Sequence, residues 1–191
     1  TMLTLQRILC PIDLSESSRL ALTYARALSS WYEAPLTVMH VCADLPVFEM
    51  ASPFGHTASS GGVIEEAQLA ERRAAVRAFV WSTIGAEGVD IIVREATDAK
   101  AEIVNEAGTD GASLLVMGTH GRTGIDHMLL GSTTEKVLHK APCPILVVPP
   151  HAAPAESGTP IIFRRILCAI DFSTSSLLAL SHALELAQEA D

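Results

Sequence analysis

Polar and apolar positions along this chain alternate between short, continuous apolar runs and longer amphipathic stretches. Residues 8–12 form the first apolar run, which ends at Asp13. Residues 36–41, 89–94, 114–117 and 145–148 are four more, most of them rich in Val, Ile and Leu. Runs of this length, apolar on consecutive positions, read as parallel strands covered on both faces. The stretches between them carry a helical period. Leu20, Tyr24, Ala27, Leu28 and Trp31 recur at that spacing and predict a helix to about Tyr32, with Ser15 as N-cap and Glu16 in its first turn. A helix over 63–84 turns Leu69, Val76, Phe79 and Val80 inward. Its Arg72, Arg73 and Arg77 face mostly outward, as a solvated face or, alternatively, as groups reaching a phosphate. Thr97 and Asp98 are cap candidates for a helix through Ala107 that points Ile103 and Val104 at the core. A last helix of this set runs from Ser132 to about Lys140, where Pro142 and Pro144 stop it. Strand and helix repeated with short connections predict an α/β fold, an open parallel sheet with helices on both faces. Residues 43–62 break the rhythm. They hold Pro46, Pro53, Gly55, Gly61 and Gly62 without periodicity and read as a flap that is mobile or functional.

Candidate chemistry concentrates after the fourth run. Gly118 and Gly121 let the chain turn and bring backbone N–H groups close to a ligand, and Gly131 closes the loop. Ser132, Thr133 and Thr134 follow, where a helix leaves its first N–H groups unpaired and its dipole positive, an anion site suited to phosphate. The hydroxyls of Ser132 and Thr134 add ligands for phosphate oxygens or Mg²⁺. Taken alone, the stretch also reads as an ordinary strand-to-helix loop with a serine cap. Asp13 supplies the second piece. In open α/β sheets ligands bind beyond the carboxyl ends of strands, where the winding reverses. If strands one and four are neighbours there, an acid able to accept from ribose hydroxyls faces a phosphate cradle. Asp13 by itself is equally a helix cap.

Composition narrows the function classes. With 191 residues, 49% hydrophobic and 18% charged, the chain is globular and can bury a sizeable core. A formal net charge of −9 without a basic patch argues against nucleic acid and anionic membrane surfaces. No apolar run approaches membrane-helix length, and the first residues carry no signal-peptide pattern, so the expected location is cytoplasmic. Cys10, Cys42, Cys143 and Cys168 form no CxxC pair and read as reduced, partly buried thiols. The seven histidines lack metal-ligand spacing; His120 and His127, beside the loop, read as solvent or packing residues.

The spacing Gly118-x2-Gly121-x9-Gly131-Ser132 resembles the ATP-binding signature of the universal stress proteins. The opening Arg7-Ile-Leu-Cys-Pro-Ile-Asp13 and the closing Pro142-Cys-Pro-Ile-Leu-Val-Val148 resemble that family's first and last strands. The resemblance covers about residues 5–149. It implies a five-stranded sheet in the order 3-2-1-4-5, Rossmann-like, often dimeric through its last strand, with an adenine nucleotide in the crevice. Carried over, Asp13 holds the ribose, and Ile12 and Val41 flank the adenine. Gly118, Gly121, Gly131, Ser132 and Thr133 line the phosphate site, with Met117, Arg122 and Thr134 in the same set. ATP is the implied ligand, ADP or AMP the alternatives, with Mg²⁺ accompanying the nucleotide. One departure is local: Ala96 and Ala99 stand where many relatives have Gly and Pro.

The start of the chain returns near its end. Residues 7–28 and 165–186 are identical at 14 of 22 positions at a shift of 158, with Asp171 as counterpart of Asp13. Residues 151–160, rich in Ala, Pro, Ser and Gly, read as the linker between them. The expected organisation is therefore a complete domain over 1–150 and, over 161–191, the first strand and helix of a second domain cut short. Those elements should dock between chains, on a sheet edge, or on their own domain. Three functions remain open: a nucleotide-binding stress or regulatory protein with a protein partner of unknown kind, a nucleotide-independent dimeric interaction module, and an enzyme. The last lacks a Ser-His-Asp set, a metal cluster or an obvious general base, so trace hydrolysis is the most expected.

Overall fold

The computed structural model describes residues 5–43, 66–85, 87–119, 130–156 and 163–189. Five strands form one sheet: β1 (Ile8–Pro11), β2 (Leu36–Ala43), β3 (Val89–Ala96), β4 (Leu114–Gly118) and β5 (Ile145–Val148). Their order is β3-β2-β1-β4-β5 and every pairing is parallel, as the resemblance implied. Five helices accompany them: α1 (Glu16–Trp31), α2 (Glu66–Ile84), α3 (Ala99–Thr109), α4 (Ser132–Leu138) and α5 (Thr174–Glu189). The strands β2 and β3 each run two residues beyond the predicted ends, because they pair with one another over eight positions. Beyond Ala43, the flap expected over 43–62 lies outside the described residues, as does the start of the helix expected from residue 63.

Alternation along the strands creates two cores. Ile8, Cys10, Ile12 and Val38 face α1 and α2, where Ala21, Leu22, Ala25, Val76, Phe79 and Val80 meet them. Leu9, Met39, Leu115 and Met117 face α3 and α4, against Ile103, Ala107 and Val137. The strand β1 is buried along its whole length, between β2 and β4. Burial pushes the Cys10 thiol up to about 12, so it stays neutral and unreactive. All four cysteines are free thiols. No described helix is long and apolar enough to cross a membrane.

The buried face of α1 differs from the predicted stripe. Ser18, Ala21, Leu22, Ala25 and Leu28 are interior together with Ala27, whereas Trp31 is exposed and Leu20 and Tyr24 are only half-buried. A helix lying close on a sheet needs small residues along its line of contact, and the larger side chains spread to the flanks. Hydrophobicity alone does not mark such a face.

The second copy of the opening motif is half formed. The helix α5 spans the counterpart of α1 residue for residue, but residues 163–171 join no ladder among the described residues. Among the described residues the strand expected at the start of 161–191 is therefore not formed. Leu167, Phe172, Leu177, Leu178 and Leu184 are exposed. The first part of the linker is anchored, since the Tyr24 hydroxyl donates to the Ala153 carbonyl (2.9 Å) and the Ala155 N–H to the Thr23 hydroxyl (3.3 Å).

Candidate functional site

The sheet splits at its carboxyl end. Paired positions on β1 and β4 stop at Leu9 and Leu115, while those on β1 and β2 continue to Pro11 and Met39. The Ile12 N–H still reaches the Met39 carbonyl at 2.8 Å, so β1 leans with β2. On the other side β4 stays with β5 through Gly118 and Val148, and the Thr119 N–H donates to Val148 at 3.2 Å. A cleft opens between the two halves, as expected where winding reverses. Its empty space, solvent at the mouth included, is about 880 Å³.

One lip is the turn from β1 into α1. The Asp13 carboxylate accepts from the Ser15 N–H (3.1 Å) and the Ser15 hydroxyl (2.5 Å). Ser15 in turn caps the helix, its hydroxyl oxygen accepting from the Ser18 N–H at 3.2 Å. Leu14 between them takes a positive φ of 66°, a conformation costly for leucine. Asp13 thus supports the cap rather than being the cap itself, and it lines the cleft with Pro11, Ile12 and Ser18.

The other lip is where the chain leaves β4 and returns to α4. The Gly131 N–H donates to the Thr119 carbonyl (2.6 Å) and the Thr134 hydroxyl to the Gly118 carbonyl (2.8 Å). These two bonds pin the ends of the loop together. Thr134 is buried, and its proton is committed to Gly118, which leaves only its oxygen lone pairs for a ligand. Gly131 is the N-cap of α4 and has no side chain to cap the first-turn N–H groups. Gly131, Ser132 and Thr133 line the cleft.

Gly118 owes its glycine to packing. A Cβ there would collide with the Ser17 hydroxyl and lie 2.8 Å from the Ser17 carbonyl oxygen. The first turn of α1 therefore rests directly on the end of β4, which sets the distance between the two lips. Val41, Met39, Met117 and Ile103 give the cleft an apolar wall. Nine of the expected residues are brought together here: Ile12, Asp13, Val41, Met117, Gly118, Gly131, Ser132, Thr133 and Thr134. Gly121, Arg122, His120 and His127 lie outside the described residues. Pro11, Ser18, Met39, Ala99 and Ile103 also line the cleft and were not expected. Strand alternation from Val41 would have found Met39. Ala99 and Ile103 come from α3, whose approach no local motif announces. That helix begins at Ala99 despite the departure from the usual Gly and Pro. Asp98 caps it, accepting from the Lys100 and Ala101 N–H groups, which hold its carboxyl below the usual carboxylate range.

The model of the universal stress protein family matches residues 4–149. The chain belongs to that family. A universal stress protein of Thermus aquaticus is 32% identical over 143 residues, 74% of this chain and 96% of the relative. One from Mycolicibacterium smegmatis is 31% identical over 184 residues, which is 93% of this chain but only 58% of the relative. Among solved structures, the universal stress protein UspA of Lactobacillus plantarum superposes with a TM-score of 0.60 at 27% identity, covering 76% of this chain and 99% of UspA. In this universal stress protein the matched segment ends after β5, so the second copy of the opening motif lies beyond it.

Proposed function

We propose that this universal stress protein binds an adenine nucleotide, ATP foremost with ADP and AMP as shorter occupants, and acts as a stress-responsive regulator in the cytoplasm rather than as an enzyme. The observation that carries this reading is the cleft itself. It places Asp13 on one lip and an uncapped helix start, Gly131 to Thr133, on the other. Asp13 accepts from ribose hydroxyls, the first-turn N–H groups and the Ser132 and Thr133 hydroxyls meet phosphate oxygens, and Val41, Met117 and Ile103 enclose the base. Asp13 is the charged residue among the described lining, so a triphosphate gains from Mg²⁺, held between its oxygens and those hydroxyls. Solved proteins of this fold carry cAMP in one case and dAMP in another, at 19% and 18% identity, which speaks for the fold rather than for this chain's ligand.

Titration calorimetry with ATP, ADP and AMP tests the reading, and absence of binding by all three would overturn it. Hydrolysis is expected to be slow or absent, since Asp13, the charged residue of the described lining, already has its carboxylate engaged with Ser15. Steady-state turnover of roughly 1 per second or more, within the ordinary enzymatic range, would contradict that.

We further propose that residues 163–189 are the opening unit of a second domain of the same kind, and that the protein pairs as a homodimer. Ile166, Leu167 and Ile170 repeat the positions of Ile8, Leu9 and Ile12, which are interior in the first unit, yet here they face solvent. Exposed apolar positions with an interior counterpart mark a surface meant for a partner chain. Removing everything after Pro150 is expected to lower the mass seen by light scattering and to raise solubility. An unchanged oligomer with equal solubility would show that the segment takes no part in assembly.

A further inference from the structure

We infer that His40 positions the base-binding edge of the cleft by taking over the Ile12 carbonyl, an inference that rests on the nucleotide reading above. His40 lies on β2 between Met39 and Val41, both of which line the cleft, so alternation turns its imidazole toward the opposite face of the sheet. It is buried there, 5% exposed, with Nδ1 2.8 Å from the Ile12 carbonyl oxygen. A carbonyl only accepts, so Nδ1 carries the proton and donates.

The consequence lies in the ladder. The Met39 carbonyl points toward β1, where it receives the Ile12 N–H. Two residues on, the Val41 amide and carbonyl point the same way. In a continued parallel ladder the Val41 N–H would donate to the Ile12 carbonyl. The register between β1 and β2 stops at Pro11 and Met39, and the His40 side chain takes that carbonyl instead. The main-chain donor and acceptor of Val41 are thereby turned over to the cleft, where one adjacent donor and acceptor pair matches the N1 and amino group of adenine. The same imidazole bond fixes the peptide that carries Asp13. His40 is thus a positioning residue that acts through Ile12 and Val41 without touching the nucleotide.

The test compares wild type, His40→Leu and His40→Asn for ATP and for inorganic tripolyphosphate, with thermal midpoints recorded for each. Asparagine keeps an N–H near the Nδ1 position; leucine fills the space without a donor. His40→Leu is expected to bind ATP about tenfold more weakly, the equivalent of about 1.4 kcal/mol. Its affinity for tripolyphosphate should stay at the wild-type value, and His40→Asn should recover most of the ATP affinity. A merely structural histidine would weaken both ligands together. Equal ATP affinity in wild type and His40→Leu overturns the inference alone, whereas a wild type that binds no adenine nucleotide overturns the nucleotide reading beneath it. Should His40→Leu fail to fold, the ¹⁵N resonances of wild-type His40 decide: a ring protonated only on Nε2 refutes the bond to Ile12.

Discussion

Gly131→Val is expected to abolish adenine-nucleotide binding while leaving the fold in place. Gly131 has φ −69° and ψ 148°, extended backbone that valine adopts readily, so the substitution strains no dihedral. Its N–H can keep its bond to the Thr119 carbonyl. The loss falls on the site, because Gly131 lines the cleft and directly precedes the first turn of α4. A branched side chain there blocks phosphate oxygens from approaching the backbone donors. Charge-assisted bonds contribute about 1.5–3 kcal/mol each, so losing even two weakens binding by roughly a hundredfold or more. Calorimetry should show no measurable heat of binding, and circular dichroism should match the wild type. Wild-type affinity in Gly131→Val would refute the phosphate role of this lip.

Gly118→Ala is expected to act the other way round, on the fold first and the site second. The added methyl group meets Ser17, whose hydroxyl can rotate away but whose carbonyl oxygen and carbon, at 2.8 and 2.9 Å, belong to the helix backbone. The start of α1 must therefore move off β4. Overpacking of this kind costs about 1–3 kcal/mol, which for a chain of this size lowers the thermal midpoint by several degrees, about 2–4 °C per kcal/mol. Because Asp13 and Ser15 ride on that turn, nucleotide affinity should fall as well. A midpoint equal to the wild type would mean that α1 yields without cost, and that Gly118 serves the ligand rather than the helix.

These two glycines show how far the sequence could be read. Both stand out as loop glycines in one spaced pattern, and both line the one cleft described above. The pattern does not separate their reasons. Gly131 leaves a helix start uncapped, while Gly118 makes room for a helix from the other end of the chain, and only the packing of α1 on β4 reveals the difference. Thr134 is similar: its hydroxyl suggests a ligand, and the fold spends its proton on Gly118.

The repeated motif draws the line between local and tertiary control most clearly. In both copies an aspartate accepts from the serine two residues on, that serine accepts from a Ser N–H three further, and the residue between takes a positive φ, 66° at Leu14 and 64° at Phe172. Asp171, bonded to Ser173 and Ser176, is lowered to about 2. Both helices then span the same sixteen residues of the motif. The turn and the helix are thus determined by the sequence itself, because their hydrogen bonds close within a few residues. The strand is not. Residues 8–11 form β1 between β2 and β4, while the near-identical 166–169 join no sheet among the described residues. A strand's hydrogen bonds lie in other strands, so tertiary structure decided where this cleft lies: at the end of β1, where β2 and β4 part.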